Sequence, residues 1–385
     1  MVLKVGSRGH IPAFMVMEVM RAAAEREQQG DAVFHLEVGQ PGTPAPKGVI
    51  AAAHKALDTD RIGYTTALGI PELRAAIAGH YQDFYGVSVP ASQVVVTTGS
   101  SCGFILSFLS AFDPGDRVAL AQPGYPCYRH ILNALGINPV MLPAGPQERF
   151  QPTPALIEKA LEEGPLDGLI VASPSNPTGT MLERQAMQDL LTCCRDNGIR
   201  VVSDEIYHGI SYGMEPVTAA QLDPSAIVVN SFSKYFCMTG WRLGWLIVPP
   251  DLLRAVESLA QNLFISPPTL SQLAAVAAFD CQEELQANIE RYAENRRLLL
   301  QELPKAGFTD LAPSDGAFYI YADVSDRTDD SVEFCARILK ETGVAITPGL
   351  DFDAVRGNRT VRFSFAGTTQ EVAAAAQALI GWSKG

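Results

Sequence analysis

In the stretch NSFSKYFCMTGWRLGW, residues 230–245, Lys234 follows an apolar run and two serines, and Arg242 comes eight residues later. A lysine partly desolvated at the end of a strand has a lowered pKa and condenses with aldehydes to give a Schiff base. Alone, Lys234 reads more simply as a snorkelling side chain with its head in water. Its neighbours reverse that preference. The hydroxyls of Ser231 and Ser233 and the fixed cation of Arg242 suit a phosphate dianion beside the amine.

Other candidates lie elsewhere in the chain. Gly99-Ser100-Ser101 follows an apolar run and precedes the helical pattern CGFILSFLSAF, so backbone N–H groups and two hydroxyls offer a second phosphate-facing surface. This is no Walker loop, because the Lys-Ser/Thr pair is missing. Asp204, in VVSDEIYHG, is either a helix N-cap or a buried carboxylate whose partner is a protonated heterocyclic nitrogen. Tyr207, three residues on, either donates to a phenolate oxygen or packs in the core. Asn176, in SPSNPTG, belongs to a turn or turns its amide toward a ligand. Tyr125, in QPGYPCY, can lie flat against an aromatic ligand or simply pack a loop. Arg362, in TVRFSFA, is either a fork for a carboxylate or a salt-bridged edge-strand residue.

The elements that must position these groups show a consistent plan. Short β-branched runs near 93–99, 116–125, 166–179, 199–209, 226–234 and 242–249 alternate with helical patterns such as 183–197, stopped by Gly198. That alternation predicts an α/β fold, a mostly parallel sheet covered by helices. The last hundred residues change character: a charged helix over 283–303, then GAFYIYADV, VAITPG and TVRFSFA predict a smaller α+β unit. Polar residues recur just after the strands, and open α/β sheets bind ligands beyond the carboxyl ends of their strands. Five loops would thus share one crevice.

Composition narrows the function classes. Of 385 residues, 47% are hydrophobic and 18% charged, which excludes a largely disordered chain. A net charge of −13 disfavours nucleic acid or anionic membrane as the main partner but leaves room for a local anion pocket. The seven cysteines form no CxxC pair and no zinc-ligand spacing, so no metal site is expected, and their scatter suits a reducing compartment such as the cytoplasm. Residues 84–112 carry no charge and are long enough to cross a bilayer, but Pro90, Gly99 and Gly103 and the hydroxyls among them predict a strand, a turn and a helix start instead. The sequon at Asn358 reads as accidental, because no clear signal-peptide cleavage pattern is seen at the N-terminus.

An aldehyde-condensing lysine, a phosphate cup, a carboxylate for a ring nitrogen, a stacking ring and an arginine fork describe pyridoxal 5′-phosphate (PLP). With VGQPGTPAP, GYTTALGIPELRAAIA, TTGSSCGF, PGYPCY, SNPTGT, SDEIY, SFSKYFCMTGWRLGW and VRFSFA in this order, the chain resembles the class I/II aminotransferases of fold type I, the aspartate aminotransferase superfamily. The resemblance implies a large domain with a seven-stranded sheet over 46–282, an N-terminal arm that is partly small domain over 1–45, and a small domain over 283–385. It implies that Lys234 anchors PLP and moves the proton, Asp204 pairs with the ring nitrogen, and Tyr207 and Asn176 bond the ring oxygen O3′. It also implies that Tyr125 stacks on the ring, and that Ser100, Ser101, Ser231, Ser233 and Arg242 hold the phosphate. Tyr64 would reach in from a second subunit, making the active unit a homodimer. Arg362 would take the substrate carboxylate, helped by Asn176 and the backbone near Gly39.

The implied reaction is ping-pong transfer of an amino group between an L-amino acid and a 2-oxo acid. Some bacterial aspartate-specific relatives carry a lysine where Ser101 stands. With Ile11, Phe14, Tyr64 and Tyr128 as an apolar lining, a neutral or aromatic amino acid is favoured over aspartate. A C–S lyase performing β-elimination on the same fold is the alternative. A PLP-sensing transcription regulator is a rival of another class, disfavoured because the enzyme-like pattern begins within about forty residues, too few for a winged helix and linker.

Overall fold

The near-continuous apolar runs of the middle chain become strands buried on both faces. A computed structural model of the chain describes residues 3–384. The strands of the large sheet are β1 (Val94–Thr97), β2 (Arg117–Gln122), β3 (Asn138–Pro143), β4 (Gly168–Ala172), β5 (Arg200–Asp204), β6 (Ile227–Ser231) and β7 (Gly244–Ile247). Their spatial order is β1-β7-β6-β5-β4-β2-β3, and every pairing is parallel except the two made by β7. Side chains alternate between two cores, as the two-residue period of a strand requires. Val94, Val96, Val228 and Trp245 enter one; Val95, Ile227, Val229 and Leu246 enter the other.

Six of the seven strands coincide with the expected runs. The exception is β3, an edge strand paired only with β2, whose Pro139 and Pro143 obscure its pattern. Proline cannot donate to a ladder, so strands that carry it belong at edges. The helix expected over 183–197 spans Arg184–Asp196, with Gly198 at φ +70° closing it in the left-handed region.

A second, antiparallel sheet is built from β8 (Asp310–Leu311), β9 (Tyr319–Asp323), β10 (Thr347–Pro348) and β11 (Thr360–Ser364), in the order β10-β11-β9-β8. Its separate core gathers Phe318, Ile320, Phe363 and Phe365 with Leu299, Phe334 and Leu379 from the helices Gln282–Glu302, Ser331–Thr342 and Thr369–Trp382. The N-terminal segment joins this unit. Phe34–His35 pairs in parallel with Val344–Ala345, and Leu36 enters the same core. Among the described residues no helix is long and apolar enough to cross a membrane, and no group of His, Cys, Asp or Glu is arranged to hold a metal.

Candidate active site

The topology explains how distant residues meet. The strands β2, β4, β5 and β6 end at one edge of the sheet, leading to Tyr125, Asn176, Asp204 and Lys234. Because β7 runs the opposite way, Arg242, which precedes it, arrives at that same edge. β1 delivers Gly99 and Ser100 there too.

Lys234 is partly buried, and its Nζ donates to the Gly39 carbonyl at 2.6 Å. The amine lies 5.8 Å from the Tyr207 ring centroid and 6.0 Å from that of Phe318. Burial pulls its pKa down to about 8, with the charge of Arg362 acting in the same direction and Asp204 opposing. Asp204 is buried at the end of β5; Tyr128 Oη donates to its Oδ2, and the Ile206 N–H donates to its Oδ1 at 3.1 Å. Burial pushes this carboxyl up to about 6 against the pull of those donors.

Arg362 is 2% exposed. Its Nη1 donates to Asn176 Oδ1 at 2.9 Å, and its Nη2 donates to the Glu37 carbonyl and to Thr347 Oγ1. Its Nε is buried with no partner among the described residues. The guanidinium carbon lies 4.4 Å from the Tyr319 ring centroid and 4.8 Å from that of Phe352. Tyr207 Oη and Tyr319 Oη are 2.8 Å apart.

On the opposite side, the helix Gly99–Ala111 starts without a side-chain cap, leaving its first N–H groups available, and Ser100 and Ser101 stand on that turn. Gly99 has φ +75°, and a Cβ there would lie 2.4 Å from Arg242 Nη2, so only glycine lets the guanidinium close on the helix start. Ser231 Oγ and Ser233 Oγ are 3.0 Å apart, and Ser231 Oγ also accepts from the Ser233 N–H. Tyr125 is half-buried and meets Phe14 and Tyr128 edge-on, at 6.0 and 5.3 Å.

One expected residue stands differently. Tyr128, expected in an apolar lining, is buried with its hydroxyl on Asp204. Pro126 at the first helical position marks the start of Pro126–Leu135 but not the face that residue 128 takes. Tyr64 is 89% exposed within its own chain. Tyr319 and the Glu37 carbonyl were not anticipated. The alternation in GAFYIYADV marked a strand but not its pairing with the Arg362 strand, where Tyr321 faces Arg362 and Tyr319 faces Ser364.

The aminotransferase class I and II family model matches residues 31–379. The chain belongs to this family. It is 51% identical over 383 residues, 98% of each chain, to the valine–pyruvate aminotransferase of Mycobacterium tuberculosis. The crystal structure of an aminotransferase from that organism superposes with a TM-score of 0.97 at 51% identity, covering 100% of both chains. The aspartate aminotransferase of Thermus thermophilus with maleate gives 0.92 at 30% identity, over 99% of this chain and 100% of that one. The protein is therefore a PLP-dependent aminotransferase of fold type I, exchanging an amino group between an L-amino acid and a 2-oxo acid by a ping-pong cycle. Its residues fit the cofactor: a buried carboxylate short of a cationic partner, a lowered lysine and a cradle that a Cβ at Gly99 would fill.

Proposed function

We propose that this aminotransferase acts on small neutral amino acids, with a valine-type donor and a pyruvate-type acceptor. The Phe14 ring set edge-on against Tyr125 supports this reading, as does the 51% identity to an enzyme named for valine and pyruvate. Asp204 would pair with the ring nitrogen of PLP, Tyr207 and Asn176 with its O3′, and Tyr125 with its face. Ser100, Ser101, Ser231, Ser233 and Arg242 would hold the phosphate. When bound, PLP supplies the electron sink for breaking the Cα–H bond. Lys234 would hold PLP through its aldehyde and, once released, would be the group that moves the proton. Arg362, oriented by Asn176, Glu37 and Thr347, grips the substrate carboxylate beside the Gly39 backbone.

One observation carries the reading. Lys234 and Arg362, from different sheets, each donate to carbonyls of the same short segment, Gly39 and Glu37. An amine for the aldehyde and a fork for the carboxylate are thereby held side by side. A division into 1–45, 46–282 and 283–385 is supported in outline by a C-terminal core distinct from the two of the large sheet, with Ile206, Tyr207 and Ile210 joining the former. The exposed Tyr64 supports a homodimer with shared sites, and seven free thiols support cytoplasmic work.

The test is a panel of amino donors against 2-oxo acids, run with the wild type and with Lys234→Ala. Valine with pyruvate is expected to rank among the best pairs, and aspartate with 2-oxoglutarate well below it. Lys234→Ala should lose turnover and the cofactor absorbance by at least about 10³-fold in rate while keeping its fold by circular dichroism. Equal activity toward aspartate would overturn the substrate reading. Pyruvate and ammonia released without an acceptor would reveal a lyase.

A further inference from the structure

Tyr319 touches three parts of the site, yet it has no assigned role. It is buried on β9, and its ring lies 4.4 Å from the Arg362 guanidinium carbon. Its Oη is 2.8 Å from Tyr207 Oη. A Cβ on Gly39 would lie 1.9 Å from the same Oη, so Tyr319 also packs against the residue whose carbonyl receives Lys234. A single phenol thus contacts the carboxylate-binding fork, the phenol beside the cofactor oxygen and the support of the anchoring amine.

We infer that Tyr319 is a positioning residue that couples Arg362 to Tyr207, its ring carrying the guanidinium and its hydroxyl donating to Tyr207 Oη. This rests on the reading that Tyr207 faces the cofactor's O3′. The direction of the bond follows from charge. Of the two phenols, Tyr319 has its ring centroid 4.4 Å from the Arg362 guanidinium carbon, and a neighbouring cation makes an O–H a better donor. Burial raises the Tyr319 phenol above its ordinary value, and the Arg362 charge is the largest effect opposing that rise. With Tyr319 donating, Tyr207 keeps its own hydrogen for the cofactor, and a phenol that accepts a bond donates more strongly.

A substrate carboxylate on Arg362 would offset the cation, weaken the Tyr319 donor and loosen the hold of Tyr207 on O3′. Carboxylate binding at one end of the site would then be felt as basicity at the other. Asn176 offers a parallel route, since it too accepts from Arg362, so Tyr319 accounts for part of the coupling.

The experiment reads the pH at which the absorbance of the bound cofactor titrates. It uses the holoenzyme, with and without saturating 3-methylbutanoate, a carboxylate of the valine skeleton that cannot react. Without the carboxylate, Tyr319→Phe and Tyr207→Phe are each expected to raise the midpoint by roughly half a unit, and the double variant by no more than the larger single change. With it, the upward shift of the wild type should shrink in Tyr319→Phe. Tyr319→Leu, which removes the ring as well, should raise KM for the amino donor by about tenfold, whereas Tyr319→Phe should leave it within about twofold. An unchanged midpoint in Tyr319→Phe, or additive effects in the double variant, would overturn the coupling. A wild type without pH-dependent cofactor absorbance would instead sink the cofactor reading beneath it.

Discussion

The amine of Lys234 carries its charge reluctantly, and this has two measurable consequences. Burial lowers its pKa from 10.5 to about 8, so a free amine, the form that attacks an aldehyde, dominates above pH 8. The rate at which apoprotein takes up PLP is expected to climb to about pH 8 and then level off; a climb continuing toward pH 10.5 would show an unperturbed lysine. The same shift means that the unfolded chain binds a proton the folded one does not between about pH 8 and 10.5. This group's penalty is therefore full below pH 8 and fades as the pH rises through that window. Gly39 sets a second constraint, because a Cβ there meets the Tyr319 hydroxyl at 1.9 Å. Residue types alone made Lys234, Asp204 and Arg362 legible as a set, since aldehyde, ring nitrogen and carboxylate each demand one kind of side chain. They could not reveal Tyr319 or Tyr128, because a tyrosine in a strand or an early helical turn reads equally well as core packing.

The loops at the strand ends are held together by a buried histidine that the chemistry does not use. His208, four residues after Asp204, donates from Nε2 to the Ser173 carbonyl at 2.8 Å and accepts at Nδ1 from Tyr85 Oη at 2.7 Å. Since a carbonyl can only accept, Nε2 carries a proton, while Nδ1 also stands 3.5 Å from the buried Glu205 Oε2. The contact ties the turn after β5 to the loop after β4, which carries Asn176. Burial drives the pKa of His208 down to about 3, against 6.5 when unfolded. A depressed cationic group destabilises as pH falls, so its contribution is whole above about pH 6.5 and is lost progressively toward pH 3. His208→Gln should remove this part of the acid dependence in denaturant titrations. His208→Phe should cost about 1–3 kcal/mol for each polar group left unpaired. Acid dependence unchanged in the glutamine variant would show that His208 titrates normally. At this scale the sequence was most legible where strands are buried on both faces, as in VVV of β1. It was least legible at β3, where the edge position that tolerates proline comes from pairing that the chain does not encode locally.

Some large apolar side chains of the chain face water. Ile62, Tyr64, Leu263 and Ile265 are 40%, 89%, 50% and 54% exposed. The buried Gln272 binds the 65–70 loop to the segment after Phe264: its Oε1 accepts from the Ile70 N–H at 2.8 Å, and its Nε2 donates to Thr65 Oγ1 and the Pro267 carbonyl. An ordered loop that presents large apolar side chains to water marks a contact surface, and a symmetric pair would cover it twice. If Tyr64 completes the partner's site rather than its own, two inactive variants can rescue each other. In a mixed dimer of Lys234→Ala and Tyr64→Ala subunits, one site carries both lesions and the other carries neither. After subunit exchange, about half the dimers are mixed and about a quarter of all sites are intact, so activity should rise toward a quarter of the wild-type value, well above the sum of the parents. Activity that stays at that sum, with exchange verified by tagged subunits, would mean that each chain builds its site alone, because then no pairing of these two lesions leaves a whole one.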